Sequence, residues 1–242
     1  MRTLSWFSCG AASAVATKLT PDAEPVYCET GSEHPDNERF FAACEQWFGR
    51  TITRLKSDKY DDTWDVWTKR RYLAGIKGAI CTVELKASPR LAYQKPFDVH
   101  VLGYTADQED VNRAQRLRET YPEQTYVMPL IDRGLTKAHC LDMVQRAGIA
   151  LPPLYALGFR NNNCIPCVKA QSPAYWALVR KTFPEKFDRM ARLSRELGVR
   201  LVKTSIAPRR RIFIDEVPLD QETTEPIQPS CDFLCHVAEA DL

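Results

Sequence analysis

The chain has 242 residues, 44% of them hydrophobic, enough to bury a core of ordinary size in one domain with a small appendage. Its 33 lysines and arginines nearly cancel its 31 acidic residues, which excludes a global field of the kind that draws a protein onto nucleic acid regardless of sequence. No apolar run approaches the roughly 20 residues that span a bilayer, and the amino terminus lacks a basic region leading into an apolar stretch and a cleavage site, so a cytoplasmic protein with no membrane partner is expected.

Residues 1–150 alternate short apolar runs with amphipathic segments, the pattern of βαβ units building a parallel sheet covered by helices. In chain order the pattern predicts a strand over Arg2–Phe7, a helix over Ala11–Leu19, a strand over Pro25–Cys28, a helix over Asp36–Phe48 and a strand over Thr51–Leu55. A helix over Thr63–Leu73, a strand over Asp98–Leu102, a helix over Gln108–Thr120, a strand over Thr125–Met128 and a helix over Thr136–Ala147 follow. Asp36 and Thr136 suit helix N-caps, because their side-chain oxygens can accept from first-turn amides. Past Gly148 the stretch LPPLYALGFRNNNCIPC discourages a helix, and two more helices are predicted over Pro173–Thr182 and Glu185–Leu197. The expected organisation is a nucleotide-binding α/β domain over 1–150, a CxxC loop with a helical appendage over 151–214, and a cysteine-bearing tail over 215–242 that is flexible or draped over the domain.

Nine cysteines in a reducing compartment are read as core residues, metal ligands or nucleophiles in preference to disulfides. Cys44 and Cys140 fall within helical patterns and read as buried thiols. The turn Ser8-Cys9-Gly10-Ala11-Ala12-Ser13 joins a strand to a helix through small residues, so backbone N–H groups and the positive end of the helix dipole can meet an anion there. Cys9 within it is either a reactive thiol or a small residue filling a tight turn. Polar clusters also end the second strand (Glu29-Thr30-Gly31-Ser32-Glu33-His34-Pro35) and the fourth (Gly103-Tyr104-Thr105-Ala106-Asp107), and Pro129–Asp132 follows the fifth, all at the sheet edge where open α/β sheets bind ligands. Cys164 and Cys167 form a CxxC suited to zinc, an iron–sulfur cluster or a redox pair, with Cys81 a third ligand and Cys231 or Cys235 a fourth. Lys69–Arg71 reads as a solvated face, Lys86, Arg90 and Arg209–Arg211 as groups that could meet phosphate, and Trp64, Trp67 and Tyr72 as packing residues.

Taken together, these segments resemble the phosphoadenosine-phosphosulfate reductase family of the adenine-nucleotide alpha-hydrolase, or PP-loop ATP pyrophosphatase, superfamily, in its small phage and prophage form. Ser8, Gly10 and Ser13 match an SGGxxS loop in which Cys9 replaces the first glycine, while Ala11 and Ala12 stand where a basic residue and an aspartate or threonine are usual. Thr30–Pro35 resembles TGxEHP, Cys81–Lys86 with Pro89 resembles CTxELK…P, Gly103–Asp107 corresponds to a GIRADE-like stretch, Pro129–Lys137 resembles PLxDWGITK and Asn163–Cys167 resembles NCxxC.

The resemblance implies an open, mainly parallel sheet with helices on both faces and a helical C-terminal appendage. It implies ATP or another adenine nucleotide with its phosphates on Ser8, Gly10, Ala11, Ala12 and Ser13, further contacts from Thr30, Gly31, Glu33, Gly103 and Asp107, and Mg²⁺ near Asp107 or Asp132. It also implies an iron–sulfur cluster, of the [4Fe–4S] type, on Cys81, Cys164 and Cys167 with Cys231 as a fourth ligand. The expected activity is ATP-dependent sulfur transfer to a nucleic-acid or nucleotide acceptor, with a sulfur or electron donor protein as partner and with Lys86, Cys9, Cys231 and Cys235 as catalytic candidates. Sulfonucleotide reduction is the enzymatic alternative, weakened because Cys231–His236 lacks the Glu and Gly of an ECGxH tail, and a non-catalytic nucleotide or cluster sensor is the alternative of another class.

Overall fold

The computed structural model describes residues 1–76, 78–204, 208–231 and 233–240. The chain begins with β1 (Thr3–Phe7), α1 (Ala11–Lys18), β2 (Glu24–Cys28), α2 (Asn37–Phe48), β3 (Thr53–Leu55) and α3 (Thr63–Arg70). A hairpin of β4 (Ala74–Gly75) and β5 (Gly78–Ala79) leads into a helical stretch made of α4 (Ile80–Thr82), a π-helical turn (Val83–Ala87) and α5 (Ser88–Tyr93). Next come β6 (Val99–Val101), α6 (Gln108–Thr120), β7 (Thr125–Val127), α7 (Pro129–Asp132) and α8 (Lys137–Arg146). The remainder holds α9 (Pro153–Ala156), α10 (Pro173–Thr182), α11 (Pro184–Glu196), the hairpin of β8 (Val202–Lys203) and β9 (Arg211–Ile212), a 3-10 turn (Ile214–Glu216) and α12 (Phe233–Glu239).

Five strands form one parallel sheet in the order β3-β2-β1-β6-β7, with Ser5 opposite both Pro25 and Val101. The chain therefore moves outward from β1 in one direction through β2 and β3, and in the other through β6 and β7. Right-handed crossovers then place α1 and α6 on opposite faces and open a crevice at the carboxyl ends of β1 and β6. Alternation along β1 serves both faces. Ser5 Oγ meets Thr17 Oγ1 of α1 at 2.8 Å, and Phe7 packs with Tyr27, Phe41 and Phe48. Trp6 faces the other way, donating from Nε1 to His100 Nδ1 at 3.0 Å beneath the Arg90 guanidinium.

Residues 11–17 of α1 are all buried, which their small side chains permit between the sheet and α8. Thr136 caps α8 as expected, its Oγ1 accepting from the His139 amide at 3.4 Å. Asp36 does not cap α2: both its carboxylate oxygens are held by Arg39, at 2.8 and 2.6 Å, a charge-assisted pairing that outcompetes a bond to a first-turn amide.

A second core gathers Leu154, Phe159, Trp176, Phe187 and Ile214 of the appendage, but it also takes Trp64, Trp67 and Leu73 from the first 150 residues. Thus α3 belongs by packing to the appendage, and Tyr72 is exposed beside it. The tail is draped: Thr224 Oγ1 donates to the Gly158 carbonyl at 2.8 Å, and Cys235 and Ala238 of α12 are buried against the α1–α8 core. Among the described residues no helix is long and apolar enough to cross a membrane.

Candidate functional site at the sheet switch point

A cleft of about 640 Å³ opens where the strand order reverses, lined by Ser8, Gly10, Ala12, Ser13, Thr30, Lys86 and Gly103 together with Cys81, Cys164 and Cys167. Gly103 sets its floor. A Cβ there would lie 2.7 Å from Ser13 Cα and 2.8 Å from the Ser13 amide nitrogen, so the loop after β6 can lie against the first turn of α1 only without a side chain.

The turn entering α1 is organised around one hydroxyl. Ser13 Oγ donates to the Gly10 carbonyl at 2.9 Å and accepts from the Ser8 amide and the Ser8 hydroxyl, each at 3.0 Å. Cys9 has φ of 56°, the left-handed region in which glycine is at ease, and its thiol points into the core toward the Asn37 carbonyl at 3.5 Å. Burial pushes that thiol up to about 12, with Glu33 and Glu38 adding to the effect. Cys9 therefore packs in the first core and does not line the cleft, which favours its reading as a small residue filling a tight turn. The Ala11 amide, expected to meet phosphate, donates instead to the Tyr155 hydroxyl at 3.1 Å. Among the described residues no acceptor takes the Ala12 and Ser13 amides, which leaves them to a ligand at the positive end of α1. Beside them Asn162, only 6% exposed, donates to the Cys9 carbonyl and to Asn37 Oδ1, and its own Oδ1 is buried without a partner among the described residues.

The opposite wall carries the thiols. The π-turn explains how Cys81 and Lys86 both reach it. Residues five apart lie about 140° apart around an α-helix, whereas the i→i+5 bonding seen from the Ser88 amide to the Val83 carbonyl brings them toward one side. Burial acts to lower the Lys86 pKa, while the ionised forms of Cys164, Glu33, Cys167 and Cys28 around it act to raise it, and the net direction is upward. Thr30 Oγ1 spends its only proton on Glu33 Oε1 at 2.6 Å, so the 2.8 Å contact with Cys164 has the thiol as donor. Burial pushes Cys164 up to about 11, against the lowering pull of Lys86 and of the Thr30 hydrogen bond. Cys167 is anchored by its backbone, its amide donating to the Tyr175 hydroxyl at 2.6 Å. Burial also raises Cys81, while the neighbouring Trp67 indole N–H pulls the other way. Among the described residues that buried N–H makes no well-formed hydrogen bond, only the looser contact with Cys81.

Other expected site residues lie elsewhere. Gly31, with φ of 67°, is a structural turn where a Cβ would sit 2.2 Å from the Asp61 carbonyl, and Glu33 closes the same loop by accepting from the Thr30 amide at 2.8 Å. Asp107 Oδ2 accepts from the Thr105 hydroxyl at 2.8 Å and the Lys137 amide at 3.0 Å and lines a small pocket that adjoins the main cleft, while Asp132 is exposed on α7 outside the cleft lining. Arg209–Arg211 are exposed and Arg90 covers Trp6. Cys231 sits 3.7 Å from His236 Nε2 and packs against the α1–α8 core, and Cys235 is buried in that core. Neither lines the cleft, so the structure does not bring the tail to the three cleft cysteines.

The cleft adds residues that sequence reasoning passed over as site residues: Tyr155, Asn162, Trp67, and the cations Arg113, Lys137, Arg160 and Lys169. Lys137 ends the PLxDWGITK-like segment and Asn162 directly precedes NCxxC, whereas nothing local in the sequence marks Tyr155. With Lys86 the lining carries five cations against Glu109 and Asp110, a balance that favours an anionic ligand. Among the described residues no group of three Cys, His, Asp or Glu side chains converges as a ready metal centre. The donor chemistry of the thiol wall nonetheless fits a soft metal held by thiolates: three cysteines line one cleft, and Trp67 offers an unused N–H beside Cys81.

No protein-family model matches the chain, and a search of curated proteins finds no match.

Proposed function

We propose that the chain is an ATP-using sulfur-transfer enzyme acting on a nucleic-acid or nucleotide acceptor. The observation that carries this reading is the meeting, in one cleft, of the open first-turn amides of α1, a charged Lys86 and the thiols of Cys81, Cys164 and Cys167. In the first step an acceptor oxygen attacks the α-phosphorus of ATP; the new O–P bond forms as the bond to pyrophosphate breaks. In the second, hydrosulfide attacks the activated acceptor atom, its bond to sulfur forming as the bond to AMP breaks; sulfur delivered as a persulfide of the donor protein would leave a disulfide that a second thiol of that protein opens. Adenylation makes a poor leaving oxygen a good one.

The Ala12 and Ser13 amides hold phosphoryl oxygens, and the small side chains of the turn let the phosphate approach the backbone. Lys86 faces the same space as a fixed positive charge where negative charge develops. Lys137, Arg113 and Arg160 at the mouth attract the polyanion. Cys81, Cys164 and Cys167 would hold an iron–sulfur cluster, which when bound supplies a soft site for sulfide. Mg²⁺ would enter on the pyrophosphate oxygens of the nucleotide.

Anaerobically prepared protein incubated with ATP, sulfide and a pool of RNA, DNA and nucleotides should release pyrophosphate and AMP in step with acceptor thiolation. Sulfite release from adenosine phosphosulfates without ATP consumption would replace this reading by reduction. Nucleotide binding with no turnover of either substrate would leave a sensor.

A further inference from the structure

Tyr155 belongs to the appendage, on α9, yet its ring reaches the turn that begins α1. The residue is 5% exposed and lines the cleft, with the Lys137 ammonium 5.7 Å over its ring. Its oxygen accepts the Ala11 amide proton at 3.1 Å, and a Cβ on Gly10 would come within 3.1 Å of it. A phenol has one proton to donate as well as lone pairs to accept with. The Ala11 bond uses a lone pair, and among the described residues no acceptor takes the Tyr155 proton. The hydroxyl is thus a held donor beside the open Ala12 and Ser13 amides.

We propose that Tyr155 is a ligand-contacting member of the anion cradle: bound to Ala11 through its oxygen, it donates its O–H to a phosphoryl oxygen of the nucleotide. This rests on the reading of the cleft as a nucleotide-phosphate site. Asn162 lines the same wall with its Oδ1 buried and unpartnered among the described residues, and the lining carries five cations against Glu109 and Asp110, so the site suits an anionic ligand independently of the helix end. Tyr155 packs in the same core as α1, while its neighbour Leu154 packs in the second, so α9 brings the hydroxyl to the α1 amides from the seam of the two cores.

The test uses inorganic pyrophosphate as the probe, with calorimetry on the full chain. Tyr155→Phe should bind pyrophosphate about tenfold more weakly than the parent, the loss expected for a hydrogen bond to a charged oxygen. Site-specific 3-fluorotyrosine at position 155, a stronger donor and a weaker acceptor, should bind it at least as tightly as the parent, and it keeps the test open if the Phe variant does not fold. Unchanged or tighter binding by folded Tyr155→Phe would overturn the proposal, the tighter result meaning that the hydroxyl only competes for the Ala11 amide. Weaker binding by the fluorotyrosine protein would overturn the donor role as well. Failure of the parent to bind pyrophosphate would remove the phosphate-site reading itself, an outcome distinct from parent binding that is indifferent to position 155.

Discussion

Replacing Gly103 by alanine tests the geometry of the cleft at its tightest point. The new Cβ would meet three backbone atoms of α1 at once: Ser13 Cα at 2.7 Å, Ser13 N at 2.8 Å and Ala12 C at 3.0 Å. None is the tip of a flexible side chain, so relief requires α1 and the loop after β6 to separate by about 0.7 Å or more to regain ordinary contact of about 3.5 Å. Overpacking of this kind costs about 1–3 kcal/mol, which in a chain of this size lowers Tm by roughly 2–10 °C. The displaced atoms carry the Ala12 and Ser13 amides, so pyrophosphate affinity should fall by about tenfold or more, misplacement of this order being costly at a preorganised site. Gly49→Ala is the matched control. At φ of 69° with nothing within 4 Å of its Cβ, it carries a backbone cost of about 1–2 kcal/mol without touching the cleft. Denaturant titration with calorimetry on both variants separates the effects: Gly103→Ala should lose stability and binding, Gly49→Ala stability alone. A Gly103→Ala protein with parental stability and parental affinity would refute the close approach on which the site description depends.

Cys9→Gly relieves a positive φ at about 1 kcal/mol while losing a buried sulfur of similar worth, so stability should stay within about 1 kcal/mol of the parent and pyrophosphate binding and turnover within a fewfold; loss of product formation with binding intact would restore Cys9 as a sulfur carrier. Anaerobic iron and sulfide loading should fail in Cys164→Ala and Cys167→Ala and persist in Cys231→Ala, since Cys231 lies beside His236 away from the cleft; visible absorption and iron analysis read the result, and loss of iron in Cys231→Ala would show that the tail reaches the cleft cysteines. Hydrogen bonding to Arg2, at 2.7 Å, holds the Asp98 carboxyl below its ordinary value, so its contribution to stability is present above the unfolded value of about 3.9 and is lost as pH falls through the lower folded one. Arg2→Met should therefore reduce stability by about 1 kcal/mol at pH 7 and flatten the acid limb of a stability–pH profile, and an unchanged acid limb would show that the pair carries no such linkage.

Much of the framework was legible because periodicity is local. The five sheet strands and the helices at 11–18, 37–48, 108–120, 137–146 and 173–182 fall within a few residues of where alternation and 3.6-residue spacing put them. The helical stretch at 80–93 is not legible as helix in the sequence: Pro89 reads as a breaker although it sits in the first turn of α5, where it is tolerated, and the π-turn follows no simple hydrophobic period. The hairpins at 74–79 and 202–212 are two-residue strands, too short for a pattern to register.

The sequence by itself determined the parallel α/β class, the small-residue turn at Ser8–Ser13 and the set of cysteines available for chemistry, because each is written in contiguous residues. Only the tertiary structure decided which of those cysteines share a space. Cys81, Cys164 and Cys167 come together because α3 and the CxxC loop pack into one second core, whereas Cys9, Cys231 and Cys235 are drawn to the first. It also decided that Tyr155, 144 residues from Ala11, completes the turn. Sequence spacing fixes a side chain's direction within its own helix or strand; which other elements that side chain meets depends on how the two cores close, and that information is spread over the whole chain.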